Sequence, residues 1–238
     1  MKLASFDLEI ASVIPDHVQD WARQPDLGIS CAGVALSDSD QIKLWSGKPR
    51  LSRDDAQALV HELSDLAGAG YSIVTWNGCG FDFRVLAELS GLLEEASQLA
   101  LQHIDLMLMV TFTKGWFLSL QKALEGAGLS GKLKTVQLSD GTHISDMDGA
   151  RAPALWAAGE YDAVLTYLKQ DVLQELKLAQ AILREGRIRW ISNAGKPQHV
   201  QFDRLLTVNE CFDIPEPDTS WMTDPPSRNR FVDWMSAE

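Results

Sequence analysis

The chain has 238 residues, 45% of them hydrophobic, enough to bury one substantial core and carry a small appendage, but not to build a second full domain. No run of about 18 apolar residues is present to span a bilayer, and Met1-Lys2-Leu3 leads into a strand-like segment without a hydrophobic leader, so a soluble, unsecreted protein with no membrane partner is expected. The net charge of −12 works against the general nucleic-acid affinity that lysine and arginine supply, and Cys31, Cys79 and Cys211 lack the CxxC spacing of a zinc or redox site, which fits a reducing cytoplasm.

Leu3, Ser5, Asp7 and Glu9 alternate with Ala4, Phe6, Leu8 and Ile10, the period of a strand, so both acids point to one face. Residues 29–36 and 41–45 predict two more strands joined around Ser37-Asp38-Ser39-Asp40 as an antiparallel meander. Ser52 opens a helix with Asp54 and Asp55 in its first turn and Ala56, Leu59, Val60, Leu63 and Leu66 at helical spacing, ended by Gly68 and Gly70. A buried strand over 71–76, a turn at Asn77-Gly-Cys-Gly and a helix over about 81–89 follow. Residues 105–112 and 118–126 predict two helices, and 130–153 a long polar connection. The longest helix, about 160–185, carries Tyr161, Val164, Leu165, Leu168, Val172, Leu176 and Ala179 as a stripe that packs on the sheet.

After it, 187–192 and 199–202 predict a β-hairpin about the turn Asn193-Ala194-Gly195-Lys196-Pro197. Pro215, Pro217, Pro225 and Pro226 argue against regular structure in the tail, whereas Trp221, Phe231 and Trp234 argue that it docks. The expected organisation is one domain over 1–185, with 186–238 as a hairpin and proline-rich tail packed on it.

Asp7 and Glu9, the segment Asn77-Gly-Cys-Gly-Phe-Asp82 and the segment Tyr167-Leu-Lys-Gln-Asp171 supply four carboxylates from three distant places. Gathered in a fold they repel one another, and a hard divalent cation removes that cost; oxygen-only ligands suit Mg²⁺ or Mn²⁺. Each segment alone has an ordinary reading: the wet face of a strand, a turn with a first-turn helix acid, a surface Tyr and Asp one turn apart. The acids of the first segment, however, fall on the expected central strand of a mixed sheet, where exposed charge is less expected.

The order and separation of the three segments resemble the DEDD superfamily of 3′-5′ exonucleases, whose motifs are a strand Asp-x-Glu, an Asn-x-x-x-(Phe/Tyr)-Asp and a helical Tyr/His-x-x-x-Asp. With Tyr167 the chain resembles the tyrosine (DEDDy) subtype, and Gly131-Lys-Leu-Lys134 is similar to stand-alone relatives of the family B DNA polymerase proofreading exonuclease domain. The resemblance covers about residues 1–182. It implies an α/β, RNase H-like mixed β-sheet flanked by helices, and two-metal hydrolysis that releases nucleoside 5′-monophosphates from single-stranded DNA or RNA 3′ ends. By the same resemblance Asp7, Glu9 and Asp171 hold one Mg²⁺ or Mn²⁺, Asp7 bridges to a second, and Asp82 binds the second directly or through water. Tyr167 orients the nucleophile, since a phenol of pKa about 10 is a poor base at neutral pH.

Asn77 and Phe81 are candidates for the terminal sugar or base, Phe81 equally for core packing. Lys132 and Lys134 are candidates for phosphate contacts or ordinary solvated lysines. Asp105 reads as a helix cap or a support near the metals. The tryptophans as a group read as core or docking residues, although Trp116 beside Lys114 suits stacking on an unpaired base. Arg184, Arg187, Arg189, Lys196 and Arg204 form a basic strip that is either a solvated face or a backbone contact. Two further readings stay open: a structure-selective RNase H-like endonuclease, and a non-catalytic nucleic-acid-binding or scaffold module, which the complete acid set argues against. The acidic charge also points to weak, salt-sensitive substrate binding or to a recruiting protein.

Overall fold

The computed structural model describes residues 1–15, 18 and 24–236. The alternation over Lys2–Ile10 forms strand β1, and both of its faces are covered: only Lys2 is exposed and Asp7 half-buried along its length. β1 is the middle of a five-stranded sheet. On one side β2 (Ile29–Leu36) pairs antiparallel with β1 and β3 (Ile42–Ser46) pairs antiparallel with β2, as the meander predicts. On the other side β4 (Tyr71–Thr75) and β5 (Ile104–Asp105) run parallel to β1, giving the order β3-β2-β1-β4-β5.

Parallel neighbours require crossovers, and helices supply them. α1 (Arg53–Gly68) leads into β4, and α2 (Asp82–Ser90) with α3 (Leu93–Gln102) leads from β4 to β5. α1 starts on a capping box in which Ser52 and Asp55 satisfy each other's backbone N–H groups. α3 was not expected, and the reason is local: its N-cap, Leu92, has no side-chain acceptor to announce a helix start. Next come α4 (Leu106–Lys114), α5 (Leu120–Gly126), a short ribbon of β6 (Val136–Gln137) and β7 (His143–Ile144), and α6 (Ala152–Ala157). The ribbon and the start of α6 fall in what the sequence reads as polar connection. α7 (Tyr161–Glu185) then spans the sheet, and the hairpin of β8 (Arg187–Ile191) and β9 (Pro197–Gln201) follows it.

The apolar stripe of α7 covers β1 and β2, and the buried Ser5 hydroxyl donates to the Val172 carbonyl at 2.6 Å, fixing helix against strand. Full burial of Leu168 and Val172 on this face contributes about 1.5–3 kcal/mol each. On the opposite face Phe6 packs on Phe83 of α2, ring centroids 5.5 Å apart. The Asp7 side of β1 therefore faces α7, and the Phe6 side faces the α2 layer.

The hairpin lies on α5 where Gly126 permits backbone contact: a Cβ there would stand 1.9 Å from the Arg189 carbonyl oxygen. Beyond it the tail forms α8 (Val208–Cys211) and two 3-10 turns, Arg228–Phe231 and Asp233–Met235, on either side of an irregular proline-rich stretch. It docks through polar anchors as well as rings. The Arg228 guanidinium donates to the Ile214 carbonyl at 2.6 Å and the Phe112 carbonyl at 3.0 Å, and Trp234 Nε1 donates to the Cys79 carbonyl at 2.8 Å. All three cysteines are buried and free, and among the described residues no helix is long and apolar enough to cross a membrane.

Candidate metal centre

Asp7 and Glu9 arrive on the central strand and Asp171 on the helix that covers it. One carboxylate oxygen from each lies within 4.8 Å of the others. Asp82, at the start of α2, stands beside this trio and outside it: its Oδ1 accepts from the Leu8 N–H at 3.2 Å, and its carboxyl lies against that of Asp7. Tyr167 lies one turn before Asp171 on α7 and is fully buried. The three sequence segments thus converge, with Asp7 as the common neighbour.

Crowding these acids in the interior disfavours their charged forms. Burial, then the Asp171 carboxylate, lifts Asp7 from the ordinary 3.8 to about 7. Burial, then Asp7 and Asp171, pushes Glu9 well above the carboxylate range, and burial followed by Asp7 does the same to Asp82. Burial also raises Asp171, against the pull of Lys132. The Lys132 ammonium sits 2.7 Å from Asp171 Oδ2 and 5.2 Å from the centre of the Tyr167 ring. Burial opposes its charge, yet Asp171, Tyr167 and Asp7 together hold its pKa above the lysine range. Burial, then Asp171, raises the Tyr167 phenol, so it keeps its proton at neutral pH.

Several polar atoms at this junction have no hydrogen-bond partner: Tyr167 Oη, Asp171 Oδ1, Gln174 Oε1 and Glu175 Oε2. A buried orphan of this kind costs about 1–3 kcal/mol, so four on one helix beside a carboxylate trio mark a place built to receive a ligand. The donors are all hard oxygens, which fits Mg²⁺ or Mn²⁺.

Residues 22–183, more than half of the chain, match the family RNase_H_2 of the RNase_H superfamily. The chain belongs to the RNase H superfamily. That assignment agrees with the mixed sheet and its flanking helices, a nuclease-like fold that points to a nucleic-acid substrate. Nucleases of this superfamily are generally dependent on divalent metals, in keeping with the acid cluster. The matched region holds Asp82, Lys132, Tyr167 and Asp171, whereas β1 with Asp7 and Glu9 precedes it. No curated protein matches the chain.

In this RNase H superfamily site, Lys132 differs most from its sequence reading as a loop lysine, because its ammonium reaches into the acid cluster. The reach is set by α5, where Gln121 Oε1 accepts the Lys132 N–H at 2.9 Å. Lys134 is exposed. Glu175 was missed. It stands one turn beyond Asp171 and is 3% exposed, its carboxyl raised by burial and then by Asp7, Asp82 and Asp171. The available signal was a carboxylate next to Leu176 and near Val172 and Ala179, inside the apolar stripe.

Asn77 and Phe81 flank the turn that delivers Asp82. Asn77 adopts a left-handed φ of +72°, which asparagine tolerates, and Phe81 packs half-buried against the core. Asp105 clamps this turn. Its Oδ1 accepts the Asn77 N–H at 3.0 Å and its Oδ2 the Cys79 N–H at 3.1 Å, while the same carboxylate caps α4 through the N–H groups of Met107 and Leu108. Burial raises Asp105 to about 6, against the pull of these four donors. Asp105→Ala strands them and is expected to cost roughly 3 kcal/mol, read as a lower urea midpoint, with the Asp82 turn loosened as well.

Proposed function

We propose that the protein is a metal-dependent 3′-5′ exonuclease that removes nucleoside 5′-monophosphates from single-stranded DNA or RNA ends. The observation that carries this reading is the approach of Asp7, Glu9 and Asp171 to within 4.8 Å, with Asp82 against Asp7 and Tyr167 one turn from Asp171. In this reading Asp7, Glu9 and Asp171 hold one Mg²⁺ or Mn²⁺, and Asp7 with Asp82 a second. Bound there, the ions supply Lewis acidity, which makes water a competent nucleophile and offsets charge on the departing 3′ oxygen.

The protein's own groups bind and orient. Tyr167, protonated at neutral pH, donates a hydrogen bond that aims the attacking water and cannot itself be the base. Lys132, within the cluster, and Lys134, at its exposed edge, contact the phosphates. Asn77 and Phe81 contact the terminal nucleotide from the turn before Asp82. Residues 1–185 carry the chemistry, with 186–238 as an appended unit. The protein works in the cytoplasm, and its acidic surface favours recruitment by another protein.

The test is digestion of 5′-labelled single-stranded DNA and RNA with Mg²⁺, Mn²⁺ or EDTA, beside a circular single strand. A metal-dependent ladder receding from the 3′ end with the circle intact supports the reading. Cutting of the circle identifies an endonuclease, and no metal-dependent cleavage of any substrate overturns the assignment. Tyr167→Phe should lower the single-turnover rate by about 10- to 100-fold while leaving Mn²⁺ affinity, measured by paramagnetic resonance titration, nearly unchanged. Equal loss of metal affinity would make Tyr167 a structural support of the ligands.

A further inference from the structure

A cleft of about 590 Å³ opens between the end of α4, the start of α5, the β8–β9 hairpin and the tail. Trp116 and Trp190 lie in it edge to face, with centroids 5.5 Å apart and planes at 80°. Phe117 and Trp221 stand at it 46% and 68% exposed. The Trp221 indole is anchored, since its Nε1 donates to the Asp218 carbonyl at 3.1 Å. Large aromatic surface kept in water and held in place marks a binding surface.

The charge of the cleft is opposite to that of the protein. Lys114 and Lys122 line it and no Asp or Glu is among its described lining residues, although the chain carries 33 acids and a net charge of −12. Lys122 Nζ donates to Asn193 Oδ1 at 2.6 Å, so the hairpin turn steadies a cation that has no ion pair among the described residues. Exposed rings beside cations match a ligand made of flat apolar faces joined by negative links, which is an unpaired nucleic-acid strand. Duplex hides its base faces and offers the rings nothing to stack on.

The cleft is also tied to the acid site through α5. α5 presents Lys122 to the cleft, while its neighbour Gln121 holds the Lys132 backbone and so the ammonium paired with Asp171. One helix borders both places.

We propose that this cleft binds the unpaired substrate strand on the 5′ side of the end being cut, with bases stacked on Trp116 and Trp221 and phosphates at Lys114 and Lys122. The direction of the strand rests on the exonuclease reading; the binding chemistry does not. Through this cleft an acidic protein holds a polyanion at a local surface of the opposite sign.

The experiment is fluorescence anisotropy in EDTA, with a labelled oligothymidylate of about a dozen nucleotides and a duplex of equal length, so that binding is read without cleavage. Trp221→Ala should weaken single-strand binding roughly tenfold, while Trp221→Phe, which keeps a ring, should retain most of the affinity. Lys114→Ala with Lys122→Ala should flatten the dependence of log affinity on log salt by roughly 0.7 per lysine, whereas Lys2→Ala with Lys43→Ala, outside the cleft, should not. Unchanged affinity in the cleft variants, or equal affinity for duplex, overturns the proposal. Cleft-dependent binding by a wild-type protein that cuts nothing sustains the cleft and removes the nuclease reading. A metal-dependent ladder with affinities indifferent to the cleft does the reverse.

Discussion

Asp7→Asn should abolish 3′-end shortening, a loss on the order of a thousandfold or about 4 kcal/mol of transition-state stabilisation. Asp7 is the side chain that the Glu9–Asp171 cluster and Asp82 share, so its charge serves both proposed ion positions. Asparagine keeps the shape and removes the charge. The same substitution should therefore raise the thermal midpoint of the metal-free protein at pH 8, because it relieves repulsion among buried carboxylates. Single-turnover cleavage in Mg²⁺ beside thermal unfolding in EDTA reads both effects. Opposite movement of activity and stability is the signature of a ligand; activity within about tenfold of wild type would take Asp7 out of that role.

The metal-free protein should lose stability as pH rises from about 4 to about 7. In the fold the Asp7 carboxyl titrates at about 7 against an ordinary 3.8, so the folded state holds this proton more tightly than the unfolded chain does. Its contribution is full below the ordinary value and disappears as pH passes the raised one, amounting to about 4 kcal/mol for Asp7 alone. Glu9, Asp82, Asp171 and Glu175 shift in the same direction. Glu210, lowered to about 2 first by its Arg204 hydrogen bond, acts oppositely with its window below its ordinary 4.5; His103, lowered by burial from 6.5 to about 4, acts oppositely inside the window, where Asp105, raised by burial to about 6, roughly offsets it. Saturating Mn²⁺ should replace the protons and raise the thermal midpoint more at pH 8 than at pH 5. An equal metal effect at both pH values, or a metal-free protein more stable at pH 8, would contradict this account.

The parts of the fold that were legible in sequence are those with an uninterrupted period. β1 alternates along its whole length, α7 repeats its stripe over many turns, and Ser52 with Asp55 announces α1. α3 lacks a capping side chain, and the short α6 and α8 carry too few residues to show a period, so they emerge only from packing. The site divides in the same way. Asp7, Glu9, Asp82, Tyr167 and Asp171 were singled out by the order of three local segments and their resemblance to the DEDD exonucleases, and the structure brings those segments together. The Lys132–Asp171 pair, the grip of Asp105 on Asn77 and Cys79, and the burial of Glu175 depend on chain segments meeting in space, and local pattern does not encode those meetings.

The tail's hold on the Asn77–Gly80 turn places a condition on how the protein comes into being. The Cys79 thiol donates to the Phe231 carbonyl at 3.4 Å and the Trp234 indole donates to the Cys79 carbonyl, across 152 and 155 positions of sequence. Phe231 also lies so near Gly80 that a Cβ there would meet its ring at 2.9 Å. A nascent chain therefore exposes β1, α2 and α7 to its surroundings well before it has made the groups that pin the turn ahead of Asp82. The turn ahead of Asp82, already gripped by Asp105, therefore gains its last anchors only when residues 231 and 234 have been translated and have found their places.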